Sequence, residues 1–170
     1  MAGRMLSLTI VLSAVVGRHM HLGYEASALG MLLFGAVGIV LVRVGRFVHD
    51  KLVLNRMDKN QLIADKNVSV ALVDASSSIA SAIIIKSIIV WAVGTDMNTL
   101  FAILSGTMIT LGILLLTTRL YEVLYASNNQ NSGFQRALSQ GQMALAIQHS
   151  GNLIGTAIVV SSVSGILVYE

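Results

Sequence analysis

Four stretches of the chain are apolar for about 20 positions each. That is the length an α-helix needs to cross a hydrocarbon core of roughly 30 Å. The first runs from Ala26 to Val48 (ASALGMLLFGAVGIVLVRVGRFV) and carries no charge before Arg43. The second, Val68 to Val93, is interrupted by Asp74 and Lys86. The third, Met97 to Thr118, contains no charged residue, and the fourth, Met143 to Tyr169, contains His149 and Asn152 but no formal charge. The pattern predicts an all-α polytopic membrane protein with four transmembrane helices. Ahead of them lies Met5 to Gly17, apolar for only 13 residues and preceded by Arg4. It resembles a signal-peptide core but lacks a small-x-small cleavage site. Retained, it is either a short fifth membrane helix or an interfacial one. Residues 1–25 are therefore set apart from a membrane domain spanning 26–170.

The loops orient the spans. Between the first two lie Arg43, Arg46, Lys51, Arg56, Lys59 and Lys66, six of the eleven basic residues. The loop after the third span adds Arg119 and Arg136, whereas the loop at Gly94-Thr95-Asp96 has no cation. By the positive-inside rule, loops 43–66 and 119–141 are cytoplasmic and the C-terminus at Tyr169-Glu170 is periplasmic. Trp91 then falls at the outer interface as an aromatic anchor, and Lys86 snorkels toward the same surface.

An internal repeat emerges at an offset of 75 residues. The segment from Ile63, IADKNVSVALVDASSSIASAIIIKS, aligns with that from Leu138, LSQGQMALAIQHSGNLIGTAIVVSS. Ala71/Ala146, Ile79/Ile154, Ala82/Ala157, Ile83/Ile158 and Ser87/Ser162 are identical pairs. Upstream, Arg46 matches Arg119 if the second loop is two residues longer. The chain reads as two hairpins running in the same direction, 26–93 and 97–170, a parallel repeat. Any two aliphatic helices align in part by chance; the matched polar positions are what argue for duplication.

Those polar positions are the most informative residues. At 100° per residue, Asn67, Asp74, Ser77, Ser78 and Ser81 share one face of the second span. Gln142, His149, Asn152 and Thr156 share the corresponding face of the fourth. Asp74 lies about 9 Å along the helix from Val68. An unpaired charge there costs about 2.5–3.5 kcal/mol on the insertion scale, so the face is expected to turn away from lipid. The simplest arrangement points the two rows toward each other or toward a shared interface. Gly151 and Gly155 form a GxxxG pair, and Ser77/Ser81 and Ser78/Ala82 are small-xxx-small pairs, which suggests close helix packing.

Composition narrows the chemistry. Charged residues make up 11% of the chain against 55% hydrophobic, too few to cover a water-soluble globule. The absence of Cys removes disulfides, thiolate metal sites and thiol catalysis. No metal site or cofactor is indicated. His19 and His21 lack a third ligand, and His49 reads as a loop-edge residue. Arg43 and Arg46 with Asp50, and Arg119 with Glu122, have the spacing of local helical ion pairs. No GxSxG, HExxH, Walker loop or dinucleotide fingerprint is present, so the chain is expected not to be an enzyme. Topology accounts for the basic residues, so nucleic acid is not expected as a partner.

The run DKNVSVALVDASSSIASAIIIKS, then TRLYE, then GQMALAIQHSGNLIGTAIVVSS, resembles the YjfL-like family of bacterial inner-membrane proteins, domain of unknown function 350. The resemblance extends from about Ala26 to the C-terminus and rests on the repeated N/Q-x-A/S-x-A-L/I element at Asn67–Leu72 and Gln142–Ile147. It implies a four-helix inner-membrane protein with no established activity. Through the family's association with envelope-stress and ATP-grasp ligase components, it also implies a membrane-associated protein partner.

Two functions are then in contention. One is a non-enzymatic, self-associating subunit of a membrane or envelope-stress assembly, in which Asp74 bonds to His149, Asn152 or serines as a polar seam. The other is a small oligomeric channel or proton-conducting module that uses the same Asp/His seam as an ion path.

Overall fold

The computed structural model describes residues 2–19, 24–54, 58–91, 97–128 and 133–167. Among them every regular element is a helix: α1 (Ala2–His19), α2 (Tyr24–Val53), α3 (Lys59–Ala64), α4 (Val68–Trp91), α5 (Met97–Asn128), α6 (Phe134–Ser139) and α7 (Met143–Leu167). Four are long and apolar enough to cross a membrane, over Gly30–Lys51, Val68–Val90, Met97–Leu124 and Met143–Val163. The protein is thus a multi-pass membrane protein with a short additional N-terminal helix. The placements expected for His21, Gly94-Thr95-Asp96 and Tyr169-Glu170 lie outside the described residues, as do the side chains of His19 and Trp91.

The basic loops are mostly helix. Arg43, Arg46 and Lys51 ride on the last turns of α2, and α5 continues through Arg119, which donates to Glu122 at 2.9 Å as the spacing predicted. Between the long helices sit two six-residue helices that the sequence did not announce, α3 and α6. Each ends in a Schellman motif, which satisfies terminal carbonyls that would otherwise be orphaned. At the first, Lys66 N donates to Ile63 O and Asn67 N to Leu62 O. At the second, Gly141 N donates to Leu138 O and Gln142 N to Ala137 O. The motif demands a left-handed residue. Gly141 meets that demand without steric cost at φ 80°, whereas Lys66 does so at φ 62° despite its Cβ. Every one of these bonds recurs at positions 75 residues apart.

Helix α4 is the hub. Of its span, 67% is buried, against 33% for each of the other three. Lipid tails are as apolar as Leu, so helices in a bilayer gain little by hiding aliphatics from them; close approach and satisfied polar groups decide the packing. Accordingly α4 buries Ser69, Ser76, Ser77, Ser78, Ala80, Ser81 and Ala82 among its isoleucines. It lies parallel to α7 and in register with it. Near one end Ser69 Oγ approaches Met143 Sδ at 4.0 Å, and near the other Ser87 Oγ donates to Ser161 O at 2.8 Å. Two apolar clusters result. One fills the middle of the bundle around Phe34, Ile84, Ile85, Ile89, Ile103 and Leu153, and the other lies beneath the corners around Leu54, Val70, Phe134, Leu138 and Leu145.

Helix α1 packs on α2 and α4, burying Val11, Ala14 and Val15, while Met5, Leu6, Leu12 and Val16 stay exposed. It runs in the same direction as α4. Its start is pressed so close that a Cβ at Gly3 would lie 2.7 Å from Ala75 Cβ and 2.8 Å from Ala75 Cα. A Gly3→Val substitution should therefore push α1 off α4 and cost about 1–3 kcal/mol, the usual range for overpacking. Gly112→Ala, where an added methyl meets nothing within 4 Å, should be silent. Thermal unfolding in detergent, followed by helical circular dichroism, separates the two.

Candidate functional site

The site forms where the last turns of α2 and the α3 corner meet the first third of α4. Along α2, Arg46, His49 and Asp50 stand at i, i+3 and i+4 and so share a face. Opposite them, Asp74 is 8% exposed. Arg46 grips it as a fork: Nε donates to Oδ1 at 3.1 Å, and Nη2 donates to Oδ1 and Oδ2 at 2.9 Å each. Lys59, the first residue of α3, donates to Oδ1 at 2.9 Å and also pairs with Asp50. Two cations and two carboxylates thus form a neutral cluster in which Asp74 accepts from two charged donors.

This corrects the expected partners of Asp74. Neither His149, Asn152 nor a serine hydroxyl bonds to its carboxylate. Two cationic donors at hydrogen-bond distance outcompete neutral ones where the dielectric is low. The serines are spent on their own helix: Ser77 and Ser78 each donate to the Asp74 backbone carbonyl at 3.0 Å, and Ser81 donates to Ser77 O at 2.9 Å. Such back-bonding removes the cost of burying a hydroxyl without a neighbouring helix. Its gain is proximity, since a Cβ at Gly45 of α2 would lie only 3.1 Å from Ser81 Oγ.

Asn67 plays a different part. Its Oδ1 accepts from Val70 N at 3.1 Å as the N-cap of α4, and its Nδ2 donates to the carbonyls of Leu138 and Ser139 at 3.2 and 2.9 Å. One side chain therefore starts α4 and closes the end of α6. Gln142, at the equivalent position before α7, is exposed.

The second row faces elsewhere. His149 is 1% exposed and sits among rings: Phe134 at 4.7 Å, Tyr121 at 5.5 Å and His49 at 6.5 Å between centroids. With Asn152 and Thr156 it lines a cavity of about 270 Å³ whose other wall is Thr117, Thr118 and Tyr121 of α5. The two rows do not face each other, as the simplest arrangement had it. From Asp74 to Ser81 the α4 row turns to α2, whereas His149, Asn152 and Thr156 of the α7 row turn to α5. His49, expected at a loop edge, is a helix residue only 3% exposed. Neither of its ring nitrogens, nor those of His149, has a hydrogen-bond partner among the described residues.

The two clusters nevertheless correspond. Arg46, Lys59 and Asp74 are the positions of Tyr121, Phe134 and His149 displaced by 75. In one half a carboxylate is held by two cations; in the other an imidazole is held by two aromatic rings. Tyr121 stands 75 positions after Arg46 with no insertion, whereas the match of Arg46 to Arg119 takes two extra residues in the second loop. The local pairing expected of Arg46 with Asp50 gives way to the Asp74 fork.

Gly151 and Gly155 do not pack helices within the chain. Both are exposed, and an added methyl at either would meet nothing within 4 Å. Leu153 and Ala157, on the opposite side of α7, are buried instead. The described residues contain no group of three or more metal-ligating side chains.

Breaking the fork has a calculable penalty. Asp74→Asn leaves Arg46 without its counter-charge and Lys59 with Asp50 alone, and should destabilise the bundle by about 3–5 kcal/mol, whereas the Asp74→Leu, Arg46→Met pair should cost much less than the sum of its single changes. A double-mutant cycle on unfolding in detergent reads the difference.

No curated protein and no solved structure matches the chain. The sequence model of one family, Domain of Unknown Function (DUF350), matches residues 1–89. The match covers more than half of the 170 residues, takes in the first 25 that the resemblance had left out, and ends within α4. The chain therefore belongs to the DUF350 family.

Proposed function

We propose that this protein is a non-enzymatic, self-associating subunit of an inner-membrane assembly, built by duplication of a helical hairpin, with the α3 and α6 corners on the cytoplasmic side. The clustering of basic residues at those corners supports the orientation. Three matches at an offset of 75 support the duplication: the corner bonds, the left-handed residues Lys66 and Gly141, and the ionic and aromatic trios.

One observation carries the self-association. Ser69 and Ser87 of α4 meet α7, and Ser76 and Ala80, between them on the same face, are buried. The corresponding face of α7 is Ala144, Gly151, Gly155 and Ser162, and all four are exposed. A surface that is covered in the first half stands open in the second, shaped by the same small residues for another helix. The occupant is a second copy, whose helices are already matched to this geometry.

The ion cluster fits a structural role: a carboxylate held by two cations fixes the level of α2 against α4. A second reading, the proton-conducting module, draws support from the neighbouring buried imidazoles of His49 and His149 and the cavity beside them.

The chain has no cysteine, so single cysteines report contacts directly. Gly151→Cys and Gly155→Cys should give disulfide-linked dimers in native membranes, while Leu116→Cys on the exposed side of α5 should not; Gly155→Leu should lower the Gly151→Cys yield severalfold. Absence of linkage at both glycine positions overturns self-association through this face. In proteoliposomes the assembly reading expects no proton flux. A flux that disappears in His149→Ala establishes the conducting reading instead.

A further inference from the structure

A cavity of about 620 Å³ opens between α1, α2, α3 and α4 beside the ion cluster. Four cations reach it, Arg4, Arg43, Arg46 and Lys59, against Asp50 as the one carboxylate in its wall. Arg46 and Lys59 are committed to Asp74 and Asp50. Arg4 and Arg43 are not: both are exposed, and neither guanidinium has a hydrogen bond or ion pair among the described residues. Their positions make that notable. Arg43 lies eight residues inside the Lys51 end of its span, about 12 Å along the axis. Arg4 directly follows Gly3, which is pressed on Ala75 beside the buried carboxylate. An uncompensated guanidinium beside an apolar wall at the membrane surface favours an anion as its partner. The rest of the wall is Leu8 from α1 and Ile39, Val42 and Phe47 from α2, with the hydroxyl-bearing Ser7 and Ser78 beside them.

We propose that this cavity binds the phosphate group of an anionic membrane lipid. Arg4 and Arg43 hold the phosphate oxygens, since guanidinium forks suit phosphate geometry. Leu8, Ile39 and Val42 receive the upper part of an acyl chain. The two guanidinium groups supply an excess of positive charge because the ion cluster behind them is neutral. A basic recess between helices at the membrane surface is a recognised setting for acidic headgroups. Soluble phosphate shares the chemistry of the headgroup but offers nothing to the apolar wall. The site is independent of the α7 face, and its test does not depend on self-association.

The test is native mass spectrometry of the purified full-length chain released from detergent, with dioleoyl phosphatidylglycerol and dioleoyl phosphatidylcholine supplied in equal amounts. The expected result is retained phosphatidylglycerol adducts in preference to phosphatidylcholine. Arg4→Gln with Arg43→Gln should reduce that preference roughly tenfold. Arg43→Lys, which keeps the charge but loses the fork, should retain more of it than Arg43→Gln, and Arg136→Gln on the far corner should leave it unchanged. Both changed arginines are exposed and lie outside the Asp74 cluster, so the double variant should fold; an unfolding temperature close to wild type verifies this. Equal retention of the two lipids, or a preference unchanged in the double variant, overturns the proposal. Millimolar inorganic phosphate should leave the lipid adducts in place; if it strips them, the pocket is a soluble-phosphate site and the lipid assignment fails.

Discussion

A carboxylate buried in a membrane helix must find a counter-charge, and the fork between Arg46 and Asp74 is how this chain meets that demand. Much of the architecture at this end of the bundle follows from it. To bring the guanidinium to the level of the carboxylate, α2 must run antiparallel to α4 and extend past its apolar stretch. To bring Lys59 to the same oxygen, the connection must fold back as a short helix, which is what α3 does. Close approach of the two long helices is secured lower down by small residues, Gly45 against Ser81. Neutralisation of charge and exclusion of lipid are solved together.

The second half meets the same geometry with different chemistry. Where the first half places a carboxylate, the second places an imidazole, and the two cations become a phenol and a benzene ring. No formal charge then has to be compensated, and the packing is carried by ring contacts worth roughly 0.5–1.5 kcal/mol beyond their buried area. His49 of α2 touches this aromatic cluster while its neighbours Arg46 and Asp50 belong to the ionic one. The two clusters adjoin at that residue, so the ionic group and the aromatic group lie side by side at the basic end.

Much of this was legible in the sequence. The four spans stand out because a 20-residue apolar run has few other uses, and Asp74 stands out because a carboxylate inside such a run is expensive. Its partner was hidden. Arg46 is 28 residues away and looked like one of several topology anchors, and Lys59 sat in a loop with no visible shape. Helices of six residues leave no periodicity to read, so α3 and α6 emerge only through their capping bonds. His49 lay at the edge of an apolar run, where sequence alone does not say whether a neighbouring corner covers it. The GxxxG pair was legible as a packing surface, but not that it would be left open, because a motif does not name its partner.

Asn67 has a consequence for how the bundle can move. Its amide ties the start of α4 to the closing turn of α6, and thereby to the base of α7, whereas toward the far end Ser87 donates to the Ser161 carbonyl. The side-chain amide bonds between the pair are thus concentrated at the corner, while apolar packing joins the helices farther along. Any rocking of α7 against α4 would have its fulcrum at the corner and its widest travel at the opposite membrane face.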